Sequence, residues 1–174
     1  MRGGFTLVEL LIVVTVLAVA LLSMSQSLVA SMRLSGVNRE TALATDGVRA
    51  TIELLEGAQN FSQVFALYDG NPANDPGVAG TAPGAAFDVH GLSAVDGDPD
   101  GRVGEIVFPV VGNELRENLV DASLGMPRDL NGDGVIDAAN HAGDYKLLPV
   151  LLRLRWKVGG SARSLEVRTL LANR

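Results

Sequence analysis

The sequence predicts an α+β fold, in which one long N-terminal helix packs on a small antiparallel β-sheet that carries long acidic loops. Two observations predict it. An apolar stretch near the N-terminus continues as a segment of helical periodicity, and two alternating segments flank Gly159-Gly160 near the C-terminus. A helix with an apolar stripe and a sheet with an apolar face each need a partner to cover that surface. Packing one on the other covers both.

The composition of the 174-residue chain limits the function classes that it can serve. Its length fits one modest domain besides the N-terminal segment. The net charge is −6 and no lysine or arginine cluster offers a phosphate-binding face, which makes nucleic acid a poor candidate partner. The chain has no cysteine, so disulfides and thiolate sites are excluded, and cysteine usage says nothing about the redox compartment.

The N-terminal apolar stretch is long enough to cross a membrane. No charged residue occurs over residues 10–32, a run that spans roughly 35 Å as a helix, against ~30 Å for the hydrocarbon core of a bilayer. The run is also longer than the apolar region of an ordinary secretory signal. Arg2 is the only basic residue ahead of it, which favours a cytoplasmic N-terminus and a C-terminal domain outside the cytoplasm.

The helix is predicted to continue beyond the membrane, from about residue 5 to about residue 60. Apolar or small side chains recur there at three-, four- and five-residue steps, close to one stripe of a 3.6-residue period. We expect this stripe to pack against the sheet. Gly36, Gly47 and Gly57 are candidate bends or close contacts, because glycine weakens a helix interior. The stripe comprises Leu28, Met32, Val37, Thr41, Ala44, Val48, Ile52 and Leu55.

The rest of the chain predicts loops and short strands. Regular structure breaks over residues 69–84, which contain many Asp, Asn, Gly and Pro residues. A short strand is predicted over residues 105–111, at a sheet edge or bulge because of Pro109. Two alternating runs around Gly159-Gly160 predict a β-hairpin with one buried face. That face holds Val150, Leu152, Leu154, Trp156 and Val158 on one strand and Leu165, Val167, Thr169 and Leu171 on the other.

Glu9 is a carboxylate at the edge of the apolar run. A charge at bilayer depth costs on the order of 2–3 kcal/mol, so such a residue is a candidate functional site that needs a partner. The alternative is a boundary residue whose carboxylate reaches the lipid headgroups. The residue alone leaves both interpretations open.

Residues 4–13 read GFTLVELLIV and resemble the cleavage and methylation segment of bacterial type IV prepilins and type II secretion pseudopilins. The resemblance implies that a membrane peptidase cuts between Gly4 and Phe5 and that Phe5 is then N-methylated. It also implies that Glu9 neutralises the N-terminal amine of a neighbouring subunit during assembly, since opposite charges in a low dielectric cost less as a pair than apart.

The same resemblance implies a division of the chain. Residues 1–4 are expected to be the leader peptide, residues 5–31 the transmembrane and filament-core helix, and residues 32–174 a pilin-like globular domain in the periplasm or outside the cell. The expected fold of that domain is the helix-on-sheet arrangement that the periodicities predict.

The first of two acidic loops has the spacing of an EF-hand-type calcium site. Oxygen-bearing side chains alternate along it, and Gly134 at the sixth position permits a sharp turn. Asn140 stands where a closing Glu or Asp is usual, and Asp144 is near enough in sequence to replace it. The predicted ligands are Asp129, Asn131, Asp133, the carbonyl of Val135, Asp137 and Asn140.

The second acidic loop is shorter and the weaker candidate. Its predicted ligands are Asp96, Asp98, Asp100 and Glu105. For both loops the alternative is a solvated acidic turn, because Asp, Asn and Gly favour turns in any case. Calcium in C-terminal loops is also a theme of the pseudopilins that the N-terminus resembles.

The sequence predicts no enzyme. His90 and His141 are the only histidines, and neither has the Ser, Cys or His spacing of a catalytic triad or a zinc site. His141 is therefore interpreted as a loop residue beside the acidic segment, and Trp156 as a core residue of the hairpin.

Two function classes stay open on the sequence alone. The first is a structural subunit, more consistent with a minor one, of a type IV pilus or a type II secretion pseudopilus. Its expected partners are the prepilin peptidase/N-methyltransferase, other pilin or pseudopilin subunits and inner-membrane lipid, and its expected location is the inner membrane and then the filament. The second is an uncleaved, single-pass, calcium-binding membrane protein with an adhesive or scaffolding role.

Overall fold

The computed structural model describes residues 6–173 of the chain. The chain divides between Arg39 and Glu40 into two compact units. Besides a 3-10 turn at Phe61–Gln63, the described elements are α1 (Leu7–Glu56), α2 (Val64–Tyr68), β1 (Ala86–Phe87), β2 (Gly104–Val107), β3 (Val110–Val111), β4 (Glu114–Leu115), β5 (Leu147–Val158) and β6 (Ser161–Ala172).

The N-terminal part of α1 buries none of its apolar side chains. α1 has 50 residues, which corresponds to roughly 75 Å, and it is long and apolar enough to cross a membrane. The large apolar side chains from Leu7 to Leu34 are 48–79% exposed. The prediction that Leu28 and Met32 pack against the sheet is therefore wrong, because helix residues are buried only from Ala44 onward.

The C-terminal part of α1 packs as the periodicity predicts. Ala44, Val48 and Leu55 are buried at steps of four and seven residues, which places them on one helix face. Gly47 is a close contact, since a Cβ atom there would lie 2.5 Å from a methyl carbon of Val89. The helix ends at Glu56, before the predicted end near residue 60.

The main sheet has four antiparallel strands in the order β1-β2-β5-β6. β5 and β6 form the predicted hairpin, with Leu147 opposite Ala172 and Val158 opposite Ser161. Gly159 and Gly160 join them with φ angles of 52° and 91°. Two successive positive φ angles characterise a two-residue type I′ turn, which matches the twist of the flanking strands. β6 forms one edge of the sheet.

One face of the hairpin packs against the apolar face of α1, and part of β5 is buried on both of its faces. Val48 and Ile52 of α1 line a common groove with Leu165 and Val167 of β6. The prediction of a single buried face is wrong for the first half of β5, because Leu151 on the opposite face is also buried. A loop borders that face, and the Ala122 carbonyl accepts a 2.8 Å hydrogen bond from Arg168.

The predicted strand over residues 105–111 is two strands in two sheets. β2 pairs with β1 and β5 in the main sheet, whereas β3 pairs only with β4. Pro109 lies between them, where its missing N–H interrupts a ladder of hydrogen bonds. β2 is therefore an interior strand, and the proline ends it instead of placing it at an edge.

The chain between β4 and β5 has no helix or strand over residues 116–146, yet it is anchored in the core. Leu124, Met126 and Leu130 are buried. At its end, the Tyr145 hydroxyl donates to the Phe61 carbonyl at 2.5 Å. The same hydroxyl accepts a hydrogen bond from the Phe65 N–H at 3.1 Å. This long segment carries the first acidic loop.

Candidate functional site

The N-terminal motif is partly visible in the structure. Gly4 and Phe5, the predicted cleavage and methylation residues, lie outside the described residues. Thr6 precedes the first residue of α1, and Glu9 lies in its first turn. The Glu9 carboxylate oxygen Oε2 accepts from the Thr6 N–H at 3.1 Å and from the Thr6 hydroxyl at 3.0 Å. In return, the Glu9 N–H donates to Thr6 Oγ1 at 3.3 Å.

This exchange between Thr6 and Glu9 is a capping box, which satisfies two backbone N–H groups at the start of a helix. A carboxylate there also interacts favourably with the positive end of the helix dipole. The signal for it in the sequence is the Thr-x-x-Glu spacing of residues 6–9. Both side-chain bonds to Thr6 use the same Glu9 oxygen, Oε2.

The first acidic loop folds around Asp129. Its Oδ1 accepts from the Gly132 N–H at 2.6 Å and its Oδ2 from the Gly134 N–H at 2.8 Å. The bond from Gly134 is the main reason why the pKa of Asp129 lies below its usual value. Both glycines have positive φ angles, 74° and 87°, which a residue with a side chain rarely adopts.

The next predicted ligands repeat a shorter pattern. Asn131 Oδ1 accepts from the Asp133 N–H at 3.0 Å, and Asp133 Oδ1 accepts from the Val135 N–H at 2.8 Å. The Asn140 side-chain oxygen is committed elsewhere, because it accepts from the N–H groups of Leu115 and Ala142, both at 3.1 Å. Successive side chains of the loop thus hold its backbone.

The second acidic loop has positively charged partners. Three of its predicted ligands form salt bridges with basic residues at alternate positions of β5. The pairs are Asp96 with Lys157, Asp98 with Arg155 at 4.0 Å, and Glu105 with Arg153 at 3.2 Å. The fourth, Asp100, accepts from the Arg102 N–H at 2.8 Å. The carboxylates of this loop are therefore largely neutralised within the chain.

A buried carboxylate, Glu117, lies beneath the first loop and was missed by the sequence analysis. Its side chain is 0% exposed. One oxygen accepts from the N–H groups of Leu130 and Asn131 at 2.6 and 3.2 Å, and the other accepts from the Asp137 N–H at 3.3 Å. Glu117 thus joins both ends of the loop to the interior.

His141 is a loop residue, as predicted, but it is buried between three carboxylates. Its Nε2 lies 3.1 Å from Asp137 Oδ1 and 3.7 Å from Glu117 Oε2, and its Nδ1 lies 3.1 Å from Asp144 Oδ1. Burial alone lowers the pKa of His141, but the hydrogen bonds to Asp137 and Asp144 and the charge of Glu117 outweigh it, so the net pKa is raised. The signal in the sequence is the Asp-x3-His-x2-Asp spacing of residues 137–144.

Glu117, Asp137 and His141 form an acidic/histidine cluster that can hold a metal ion. One potential ligand atom from each lies within 4.8 Å of the others. Over residues 6–173, it is the one group of three such side chains that meets this criterion. Of the residues predicted to bind calcium, only Asp137 belongs to it.

The comparisons with known proteins concern the N-terminus. Residues 1–25 match the family described as the prokaryotic N-terminal methylation motif. No curated protein and no solved structure matches the chain. The matched region includes Gly4, Phe5, Glu9 and the first part of α1. The later part of α1 packs on a small antiparallel sheet. This N-terminal methylation motif places the chain among the type IV pilin- and pseudopilin-like proteins.

Proposed function

We propose that the protein is a structural subunit, and a minor one, of a type IV pilus or a type II secretion pseudopilus. It enters the inner membrane as a prepilin, is cut between Gly4 and Phe5, is N-methylated at Phe5 and assembles through its N-terminal helix. The observation that carries the proposal is the methylation motif, which extends into the first part of an unburied apolar helix. Pilin-like proteins are typically non-enzymatic.

The exposed part of α1 supports assembly. Covering one large apolar side chain is worth about 1.5–3 kcal/mol, and every large apolar side chain from Leu7 to Leu34 is about half exposed or more. Lipid covers such a surface before assembly, and the helices of neighbouring subunits cover it afterwards. The partners in this proposal are the prepilin peptidase/N-methyltransferase, other pilin or pseudopilin subunits and inner-membrane lipid.

We assign Glu9 to pairing with the N-terminal amine of a neighbouring subunit. The capping box involves one carboxylate oxygen, Oε2, and each carboxylate oxygen has two lone pairs. Capping of α1 and pairing with an amine are therefore compatible. The geometry allows the two roles to be separated by substitution, because capping needs an acceptor at residue 9 whereas pairing needs its charge.

Mass spectrometry of the chain from cells that contain a prepilin peptidase tests processing. We expect a mature N-terminus at methylated Phe5, and no processing of Gly4→Val, since a side chain obstructs approach to the scissile bond. An intact Met1 in the native chain would contradict the proposal and favour the uncleaved membrane-anchored alternative.

Assembly is tested in sheared filament fractions with three variants. Glu9→Gln keeps an acceptor for Thr6 but removes the charge, Thr6→Ala removes the cap but keeps the charge, and Glu9→Val removes both. We expect Glu9→Gln and Glu9→Val to lose incorporation to a similar extent and Thr6→Ala to retain it. Loss in Thr6→Ala and retention in Glu9→Gln would show that Glu9 acts as a helix cap only.

Calcium binding by the first acidic loop remains a second proposal. The ligands in it are Asp129, Asn131, Asp133, Asp137 and the carbonyl of Val135. The turn at Gly134 and the hydrogen bond from its N–H to Asp129 support this proposal. The loop also lies in a long segment without helix or strand, and because the chain has no cysteines, a bound ion is the cross-link that this segment could use. We leave Asn140 out of this ligand set, since its side-chain oxygen already accepts two backbone N–H groups.

A further inference from the structure

We propose that Glu117, Asp137 and His141 bind a first-row transition-metal dication of the zinc class, with Asp144 as the residue that positions the imidazole. The proposal does not depend on filament assembly. It shares Asp137 with the calcium proposal, but its other two ligands are not among those predicted for calcium.

The distances from His141 Nε2 to the two carboxylate oxygens fit ligands of one ion. His141 Nε2 lies 3.1 Å from Asp137 Oδ1 and 3.7 Å from Glu117 Oε2. Zinc bonds to nitrogen and oxygen are about 2.0–2.1 Å long, so two ligands at a tetrahedral angle lie roughly 3.4 Å apart. The observed separations lie on both sides of that value.

The hydrogen bonding of the imidazole calls for a cation at Nε2. A neutral imidazole has one N–H group, and its other nitrogen is an acceptor. Both ring nitrogens of His141 lie 3.1 Å from a carboxylate oxygen, Nδ1 from Asp144 and Nε2 from Asp137. A neutral ring can donate to only one of them, and with its proton on Nδ1 it donates to Asp144. The lone pair of Nε2 then faces oxygens of Glu117 and Asp137, and acceptors repel one another unless a proton or a metal ion lies between them.

The charge balance favours a dication over a proton. Glu117, Asp137 and Asp144 are three carboxylates, and their salt bridges within residues 6–173 involve His141 alone. A proton on the imidazole leaves two net negative charges in the cluster, whereas a dication leaves one. The difference matters because Glu117 is fully buried, where an uncompensated charge is unfavourable.

The ligand types select the class of metal. Calcium and magnesium take oxygen ligands almost exclusively, whereas imidazole suits zinc, copper, nickel and iron. A histidine that binds metal through one nitrogen commonly donates its other N–H to a carboxylate, which fixes the tautomer and raises its basicity. Asp144 stands in that relation to His141.

Isothermal titration of the full chain in detergent, after removal of metals with a chelator, tests the proposal. We expect one Zn²⁺ per chain in the native protein and in His90→Ala, a matched control that removes the other, exposed histidine. We expect no such binding in His141→Ala and a 10- to 100-fold loss of affinity in Asp144→Ala. Asp129→Asn, which removes the first ligand of the calcium loop, is expected to leave zinc affinity unchanged.

A measurement on the native chain is needed because removal of the buried ring can also unfold the loop. Co²⁺ bound by nitrogen and oxygen ligands in a four-coordinate site has a visible absorption band that hydrated Co²⁺ shows only weakly, and we expect this band to be displaced by Zn²⁺. Absence of zinc binding and of the band in the native chain would overturn the proposal. Zinc binding that is unchanged in His141→Ala, or abolished in Asp129→Asn, would overturn it as well.

Discussion

The two acidic loops have similar compositions but different electrostatic surroundings. In the second loop, Asp96, Asp98 and Glu105 each contact a basic side chain of β5. In the first, the carboxylate of Asp129 contacts backbone N–H groups, and the remaining negative charge gathers around one histidine. Alternating acids and glycines therefore predict a turn, but the countercharge that other segments bring to the turn decides whether a cation can bind there.

Removal of the buried carboxylate should show the largest difference between the loops. Glu117→Ala leaves three backbone N–H groups without their acceptor, and we expect a loss of about 3–5 kcal/mol in the free energy of unfolding. Glu105→Ala in the second loop should cost at most ~1 kcal/mol, because its salt bridge is exposed. Urea unfolding of the full chain in detergent and chelator, followed by the fluorescence of the single, buried Trp156, measures both. Equal losses of unfolding free energy in Glu117→Ala and Glu105→Ala would contradict the proposed difference between the two loops.

Calcium should stabilise the first loop and not the second. At free calcium ~100 times the dissociation constant, binding to the native state adds about 2.7 kcal/mol, which is a rise of several degrees in the melting midpoint for a chain of this length. We expect Asp133→Ala to abolish most of this rise, Asp98→Ala to abolish little, and magnesium to substitute poorly. Identical midpoints of the native chain in millimolar calcium and in chelator would end the calcium proposal.

Salt should affect the second loop, and the effect should be small. Lys157→Ala removes the partner of Asp96, and exposed pairs of this kind contribute ~0.2–1 kcal/mol. The difference in unfolding free energy between the native chain and this variant should approach zero in 1 M salt, where screening acts over about 3 Å. A loss above 2 kcal/mol would mean that the second loop depends on its charges more than the comparison suggests. A loss that salt does not change would mean that Lys157 acts through packing of its side chain and not through its charge.

Local patterns predicted much of the fold because they encode local structure. The hairpin follows from strict alternation around Gly159-Gly160, and both glycines take the positive φ angles that a type I′ turn needs. The helix follows from its period, although it ends at Glu56 and not near residue 60 as the period predicts. The division of the predicted strand at Pro109 shows that a proline inside an apolar run can end one strand and begin another in a different sheet.

The candidate site was only partly predictable because its decisive contacts are long-range. Glu117 meets Leu130 and Asp137 across 13 and 20 residues, and nothing in its own neighbourhood in the sequence marks it as buried. His141 has two acidic neighbours at helical-looking spacing in a segment that is not a helix. The capping box at Thr6 and Glu9, in contrast, is local and was readable from the sequence.

As the last strand of the sheet, β6 offers backbone donors and acceptors along 12 residues with no further strand paired to them among residues 6–173. Such an edge is a template on which a strand of another molecule can add. Exposed charges at Arg163, Glu166 and Arg168 interrupt the edge. Charged side chains on an edge strand disfavour strand addition by a neighbouring molecule, so replacing all three by threonine should increase aggregation of the chain.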